Sequence, residues 1–406
     1  KRSVPKVDAD IDLMRLNLVE LFGFDDGSPN YNPGSEEPEI FDPTNDPDKV
    51  FEDVAFPIEI FNAFDAKINL NLGMLDIWRK MKISNIKIMG NLQKGKVSIN
   101  DATAQYMGGV IKLDAIGDMS NKKTLKADLK ISGTKISVAE ILDSLNINIL
   151  KGGNAYVKIN AQAEGANLAD FMASMNGKII GQSLPAKGLG IADYFVGKDL
   201  VNSFFKKDSP NINIHCAAVN VDIKKGLATS ERGIAVETSD VNFVGTGNTD
   251  FRNETLGISI VPVAKKGLGL GVGSAVSMFQ YEGVIASPKL KVNTKEFLSG
   301  ATSTFLTIVT GGTYLLAKQV YNKITNDKTP CKTALDGRFV VKELDPILGA
   351  KIQAEESAER KDRNILEKVG DEISKGARVI DEGVSAVTDT ITDTAGKGID
   401  KVLDAI

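Results

Sequence analysis

Alternation of apolar and polar residues limits what this chain can fold into more than any other feature. Ala66, Ile68, Leu70 and Leu72 alternate with Lys67, Asn69 and Asn71. Leu125, Ala127, Leu129 and Ile131 alternate with Lys126, Asp128 and Lys130. Ala155, Val157, Ile159, Ala161 and Ala163 alternate with Tyr156, Lys158, Asn160 and Gln162, and the pairs and triplets Ile212, Ile214 and Leu256, Ile258, Ile260 repeat the pattern. A period of two puts every apolar member of a run on one face of a strand, whereas a helix would need a period near 3.6. Glycine turns separate the runs: Lys94-Gly95, Gly108-Gly109, Gly152-Gly153, Lys225-Gly226 and Gly245-Thr246-Gly247. Strands at such short spacing predict antiparallel pairing in a meander.

The pattern repeats within the chain. The stretch LQKGKVSINDATAQYMGG from Leu92 and the stretch IKKGLATSERGIAVETSD from Ile223 align without gaps. Lys94-Gly95 then meets Lys225-Gly226, Val110 meets Val241, and Thr124-Leu125 meets Thr255-Leu256. A weaker echo opens the chain, where Ala9-Asp10-Ile11-Asp12-Leu13 resembles Ala127-Asp128-Leu129-Lys130-Ile131. Repeated units of this kind extend one continuous sheet. The predicted fold is mainly β: an elongated antiparallel sheet curled into an open U-shaped groove, with short helices and a C-terminal amphipathic helical tail.

Five segments follow. Residues 1–23 end a preceding β-repeat. Residues 24–55 form an acidic loop carrying Pro29, Pro33, Pro38, Pro43 and Pro47. Residues 56–294 are the repeated β-groove, with a short helix capped by Asn167 and another near residues 189–205. Residues 295–335 are an end helix region, and residues 336–406 the tail. The window 297–317 is free of charge and long enough to span a bilayer, but its glycines, serines and threonines make it weakly hydrophobic. It reads as a helix on the sheet end or at a membrane surface before it reads as a span. In the tail, Leu366, Val369, Ile373, Ala377, Ile380 and Val384 begin a series at steps of three and four that runs to Ile406, which is amphipathic helical spacing.

Little in the composition supports catalysis. Lys+Arg 49 against Asp+Glu 53 leaves a net charge of −4, which gives no basic field for nucleic acid. The single histidine, His215, stands next to Cys216 in an alternating strand, so the two side chains face opposite sides. The run GLGLGVG from Gly267 lacks the strand–turn–helix context of a dinucleotide loop. Asp42, Thr44, Asp46, Asp48 and Asp53 fall short of a calcium loop, because Pro47 occupies the place that needs glycine. No enzyme activity, metal or cofactor is expected. The apolar face itself is the chemical feature, and it must be covered by a second sheet, by helices or by a bound apolar ligand. Helices before residue 335 are too short and few to cover it, which leaves a sandwich or barrel against a bound ligand.

The stretch INIHCAAVNVDIKKGLATSERGIAVETSDVNFVGTGNTDFRNETLGISIVPVAKK from Ile212, with VIASPKLKV after it, resembles the C-terminal region of AsmA-family proteins. NLADFMASMNGKI and PCKTAL fit the same family. The resemblance covers residues 57–335, with an echo over 4–21. It implies a periplasmic body held to the inner membrane by a segment outside this chain. It also implies phospholipid transport along a β-groove between inner and outer membranes, without catalytic residues. The expected partners are phospholipids, the inner membrane, and the outer membrane or an envelope protein. The alternative is an envelope structural factor that assists outer-membrane protein assembly. The groove candidates are Ile68, Leu70, Leu72, Leu125, Ala127, Leu129, Ile131, Val157, Ile159, Ile212, Ile214, Leu256, Ile258 and Ile260. Under a periplasmic reading, Cys216 and Cys331 form one bridge or remain two thiols.

Overall fold

A computed structural model describes residues 4–17, 49–51, 53–78, 81–144, 150–189, 211–239, 241–265, 278–293, 327–355 and 357. The chain divides into two units, Lys1–Leu344 and Asp345–Ile406. In the second, residues 346–355 are helical. The tail series from Leu366, the window 297–317, the Gly267 run and Asp42 to Asp48 lie outside the described residues.

The first unit is one open, mostly antiparallel sheet. Its strands and helices are β1 (Lys6–Asn17), α1 (Ile58–Ala63), β2 (Asp65–Trp78), β3 (Met81–Gln93), β4 (Lys96–Tyr106), β5 (Gly109–Asp118), β6 (Leu125–Ser137), α2 (Val138–Ser144), β7 (Leu150–Gly152), β8 (Asn154–Gly165), α3 (Leu168–Ser174), β9 (Asn176–Ser183), β10 (Ala186–Leu189), β11 (Asn211–Lys224), β12 (Leu227–Thr238), β13 (Val241–Asp250), β14 (Thr255–Ala264), β15 (Met278–Val284), β16 (Lys289–Asn293), α4 (Pro330–Ala334) and α5 (Val340–Leu344). Spatial order follows chain order from β1 to β16, except that β7 and β10 form a side branch beside β11. The two end strands do not pair with each other, so the sheet does not close into a barrel.

The meander is built from tight hairpins. Lys94-Gly95, Met107-Gly108 and Lys225-Gly226 each hold two consecutive residues at positive φ, between 45° and 75°. That pair of conformations makes the two-residue turn whose twist matches flanking strands. The repeat seen in the sequence becomes the four-strand run β3 to β6 and its counterpart β11 to β14, each opened by one of these turns.

One pairing departs from the antiparallel expectation. β1 runs parallel to β2, with Ala9 beside Ile68, Ile11 beside Leu70 and Leu13 beside Leu72. The reason is the long connection: it carries the chain back to the starting end of β1 before β2 begins, and a parallel pair needs such a crossover.

Candidate functional site

Register places the groove candidates on one face. Paired residues run from Ala9 through Ile68, Gly90, Ile99, Ala115 and Leu129. The row goes on through Ala161, Gly177, Ile223, Ala228, Thr249 and Leu256. No member is charged. A second row joins Ile111, Gly133, Val157, Gly181 and Val219, then Ile234, Gly245, Ile260 and Phe279. Strand partners share a face, so both rows belong to one apolar surface. Ile131 and Ile159 pair on it, as do Leu125 and Gly165, and Ala127 and Ala163. Leu70, Leu72 and Ile258 lie on it by the same parity. Ile212 and Ile214 pair with Gly188 and Ala186 of β10, and a bulge between Ile214 and Cys216 keeps Ile214 on this face while turning Cys216 to the other.

Several small members of this face are buried, Ala127, Ala161 and Ala228 among them. Most large ones, including Leu129, Ile131, Ile159, Leu256, Ile258 and Ile260, are only half-buried. Glycines are overhung by their neighbours. A Cβ on Gly133 would lie 2.5 Å from Ile136 Cδ1, one on Gly245 2.8 Å from Ile234 Cβ, and one on Gly181 3.0 Å from Val219 Cγ1.

The other face was not foreseen to carry a core. Tyr156, Gln182, Ala218, Ala235, Val244 and Val261 form a row of direct partners there. Tyr156 and Ala235 are almost fully buried, as are Val244 and Val261. Their cover is residues 327–344, in which Val340 and Val341 are both 0 % exposed and Leu335 is 2 % exposed. Polar contacts fix the cover in place. Asn220 Nδ2 donates to Ala334 O at 2.9 Å and to Asp336 Oδ2 at 2.8 Å, Val340 N donates to Gln182 Oε1 at 3.1 Å, and Cys331 N donates to Glu237 Oε1 at 2.8 Å. Arg232 pairs with Asp327. Cys216 and Cys331 form a disulfide, with Cα atoms 6.5 Å apart. His215, on the neighbouring position, is exposed.

Glu343 ties α5 to the sheet through Lys158 at 2.8 Å and also receives Arg338 at 2.8 Å. The Arg338 guanidinium, and after it Lys158, hold its carboxyl below the ordinary 4.5, against the opposing effect of burial. A lowered folded-state value means the contribution is complete above 4.5 and is lost as pH falls through the lowered value. Amide protection over residues 338–344 should therefore be flat at neutral pH and decline in acid. Glu343→Gln should remove that decline and cost on the order of 0.5 kcal/mol, as expected for a partly exposed pair.

A third element follows the rim where the turns Lys94-Gly95, Lys225-Gly226 and 251–254 lie. Val50 N and Phe51 N both donate to Glu254 Oε2, and Phe51 meets Phe251 edge-on at 6.0 Å. Ala55 bridges Asn167, Phe56 N donates to Ala166 O at 2.8 Å, and the Phe56 ring meets Phe171 at 6.3 Å. Asn62 Nδ2 donates to Met119 O at 2.9 Å, and Asp65 then opens β2. Residues 49–51 and 53–64 thus line the rim from the β13–β14 turn to β2.

Among the described residues, no group of His, Cys, Asp and Glu is arranged to hold a metal, and no helix is long and apolar enough to cross a membrane. The chain matches no family model, no curated protein and no solved structure.

Proposed function

We propose that this chain is a non-enzymatic part of an AsmA-like envelope protein. Its apolar sheet face, curled into a U-shaped groove, holds phospholipid acyl chains and passes them between inner and outer membranes in the periplasm. One observation carries the reading. An apolar surface crosses the sheet from β1 to β15 with most of its large side chains half-exposed, while on the opposite face residues 327–344 form a packed cover over β8 to β13.

The physics of such a face favours a lipid. Each CH₂ withdrawn from water contributes about 0.8 kcal/mol. The fourteen strands of the main path give thirteen steps of about 4.8 Å, a track of roughly 62 Å. That exceeds the thickness of one bilayer, about 40–45 Å. A headgroup would remain outside the track, because an unpaired charge is costly to bury. With no charged residue in the rows, the face offers a near-uniform surface along which chains slide without bond chemistry.

Native mass spectrometry of the protein purified from an envelope-bearing host should reveal phospholipid adducts, and vesicle assays should detect transfer of labelled phospholipid. Protein free of lipid that also moves none between vesicles would sink the proposal.

A further inference from the structure

We infer that β1 and β16, the two end strands of the sheet, pair between copies, so that the chain joins head to tail into a longer sheet. The pairing is read from the two edges alone. That it lengthens an acyl-chain track rests on the function proposed above.

β1 is suited to receive a strand. Among the described residues it has a partner strand on one side only, β2. Nine of its twelve residues are exposed, and Val7 at 45 %, Leu13 at 43 % and Met14 at 92 % stand in water. A long edge with open backbone groups and apolar side chains is a template for a further strand.

The charges say which strand fits. Asp8, Asp10 and Asp12 occupy alternate positions and share the back face, while Ala9, Ile11 and Leu13 lie on the apolar face beside Ile68, Leu70 and Leu72. Inside the sheet, the back-face carboxylate of Asp118 has a lysine on either hand, Lys96 of β4 and Lys126 of β6. The β1 aspartates have such neighbours on the β2 side. There Asp8 lies beside Lys67, Asn69 Nδ2 donates to Asp10 at 2.7 Å, and Asn71 Nδ2 donates to Asp12 at 2.8 Å. A second β1 would set aspartate against aspartate, which destabilises a strand pair. The fitting strand carries cations at every second position, with apolar residues between them.

β16 is such a strand. Its register sets Lys289 beside Glu282 and Lys291 beside Gln280, and Gln280 lies beside Ser259 on the back face. Leu290 falls beside Tyr281 and Val292 beside Phe279, on the apolar face. Among the described residues β16 also has a partner on one side only. β1 runs parallel to β2, every later step of the main path is antiparallel, and β1 and β16 therefore point the same way. With apolar faces aligned, the open side of β16 meets β1 of a second copy in parallel, as β2 does within the chain. Lys289 and Lys291 then stand against Asp8 and Asp10, or against Asp10 and Asp12. Leu290 and Val292 continue the row of Ala9, Ile11 and Leu13. Two unlike edges make a head-to-tail contact that repeats from copy to copy. Five residues of β16 make a small interface, so the association is reversible.

Sedimentation velocity of the full chain should show a species that grows with protein concentration. Carbodiimide, which couples a carboxylate to an amine in contact, should join Asp8, Asp10 or Asp12 of one copy to Lys289 or Lys291 of another in a mixture of isotope-labelled and unlabelled chain. Asp8→Lys with Asp10→Lys and Asp12→Lys should weaken association on the order of tenfold, with circular dichroism unchanged. Lys289→Asp with Lys291→Asp should do the same. Mixing the two variants should restore association, because the new lysines of one meet the new aspartates of the other. A chain that stays monomeric at every concentration overturns the pairing. So do crosslinks that join β1 to β1, variants that associate as well as wild type, or a mixture that fails to recover. If a variant loses its fold, the wild-type crosslinks decide alone. Neither readout involves lipid. Wild type without bound phospholipid would defeat the function proposed above and leave the pairing standing, and a monomer that carries phospholipid would do the reverse.

Discussion

Leu129→Asp should strip bound phospholipid from the chain and leave it folded. Leu129 is half-buried, between Ala115 and Ala161 on the apolar face, so its carboxylate would stand where an acyl chain passes. Excluding water from that carboxylate would cost a bound chain about 1–3 kcal/mol, which is a loss of lipid of roughly fivefold to a hundredfold. Ile159→Asp, opposite Ile131, should act alike. The matched control is Val341→Asp in the cover of the other face, at a side chain 0 % exposed between the cover and the sheet. There the charge has no water, and the cost of several kcal/mol should unfold or undock residues 327–344. Native mass spectrometry and thermal unfolding read the two effects side by side. If Leu129→Asp proves as destabilising as Val341→Asp, the apolar face is an ordinary protein core.

Removing the disulfide should have the largest effect on stability. Cys216 and Cys331 lie 115 residues apart, and a crosslink of that span restricts the unfolded chain strongly. Cys216→Ala with Cys331→Ala should lose about 3–5 kcal/mol, or roughly 10 °C in Tm. Wild type in dithiothreitol should match the double variant. A denaturant midpoint that moves by less than about a tenth would show that the unfolded chain is held by other means.

The apolar face was legible because nothing there competes with the period of two. Leu125 to Ile131 and Ala155 to Ala163 keep strict alternation, and the registers set those residues side by side. The core on the opposite face was less visible, although a signal existed. In Ile258-Ser259-Ile260-Val261-Pro262-Val263 and Cys216-Ala217-Ala218-Val219 the alternation lapses into continuous apolar runs, as strands covered on both sides require. The cover was harder still. α4 and α5 have five residues each, too few to show a helical period, and the residues that dock them, such as Gln182 and Glu237, lie far away in sequence. The rim segment before β2 gave no local sign either. Its far anchor, Glu254, lies 204 residues from Val50, and nothing near either residue announces the other. The parallel β1–β2 pair escaped for a related reason: Ala9 to Leu13 reads the same whichever way its neighbour runs.

Strand order implies a schedule of assembly. Nearly every strand pairs with the one synthesised just before it, so the meander can zip up as the chain emerges, each hairpin adding to a finished edge. Two elements cannot join that progression. Residues 49–64 must wait for Glu254 to be made before their far end has anything to grip, and residues 327–344 can only arrive after β8 to β13 have been laid down. Until then the growing sheet has an uncovered rim and a bare apolar back over β8 to β13. The chain therefore passes through a period of exposure that ends only when its last described elements have emerged, and aggregation is the hazard of that interval.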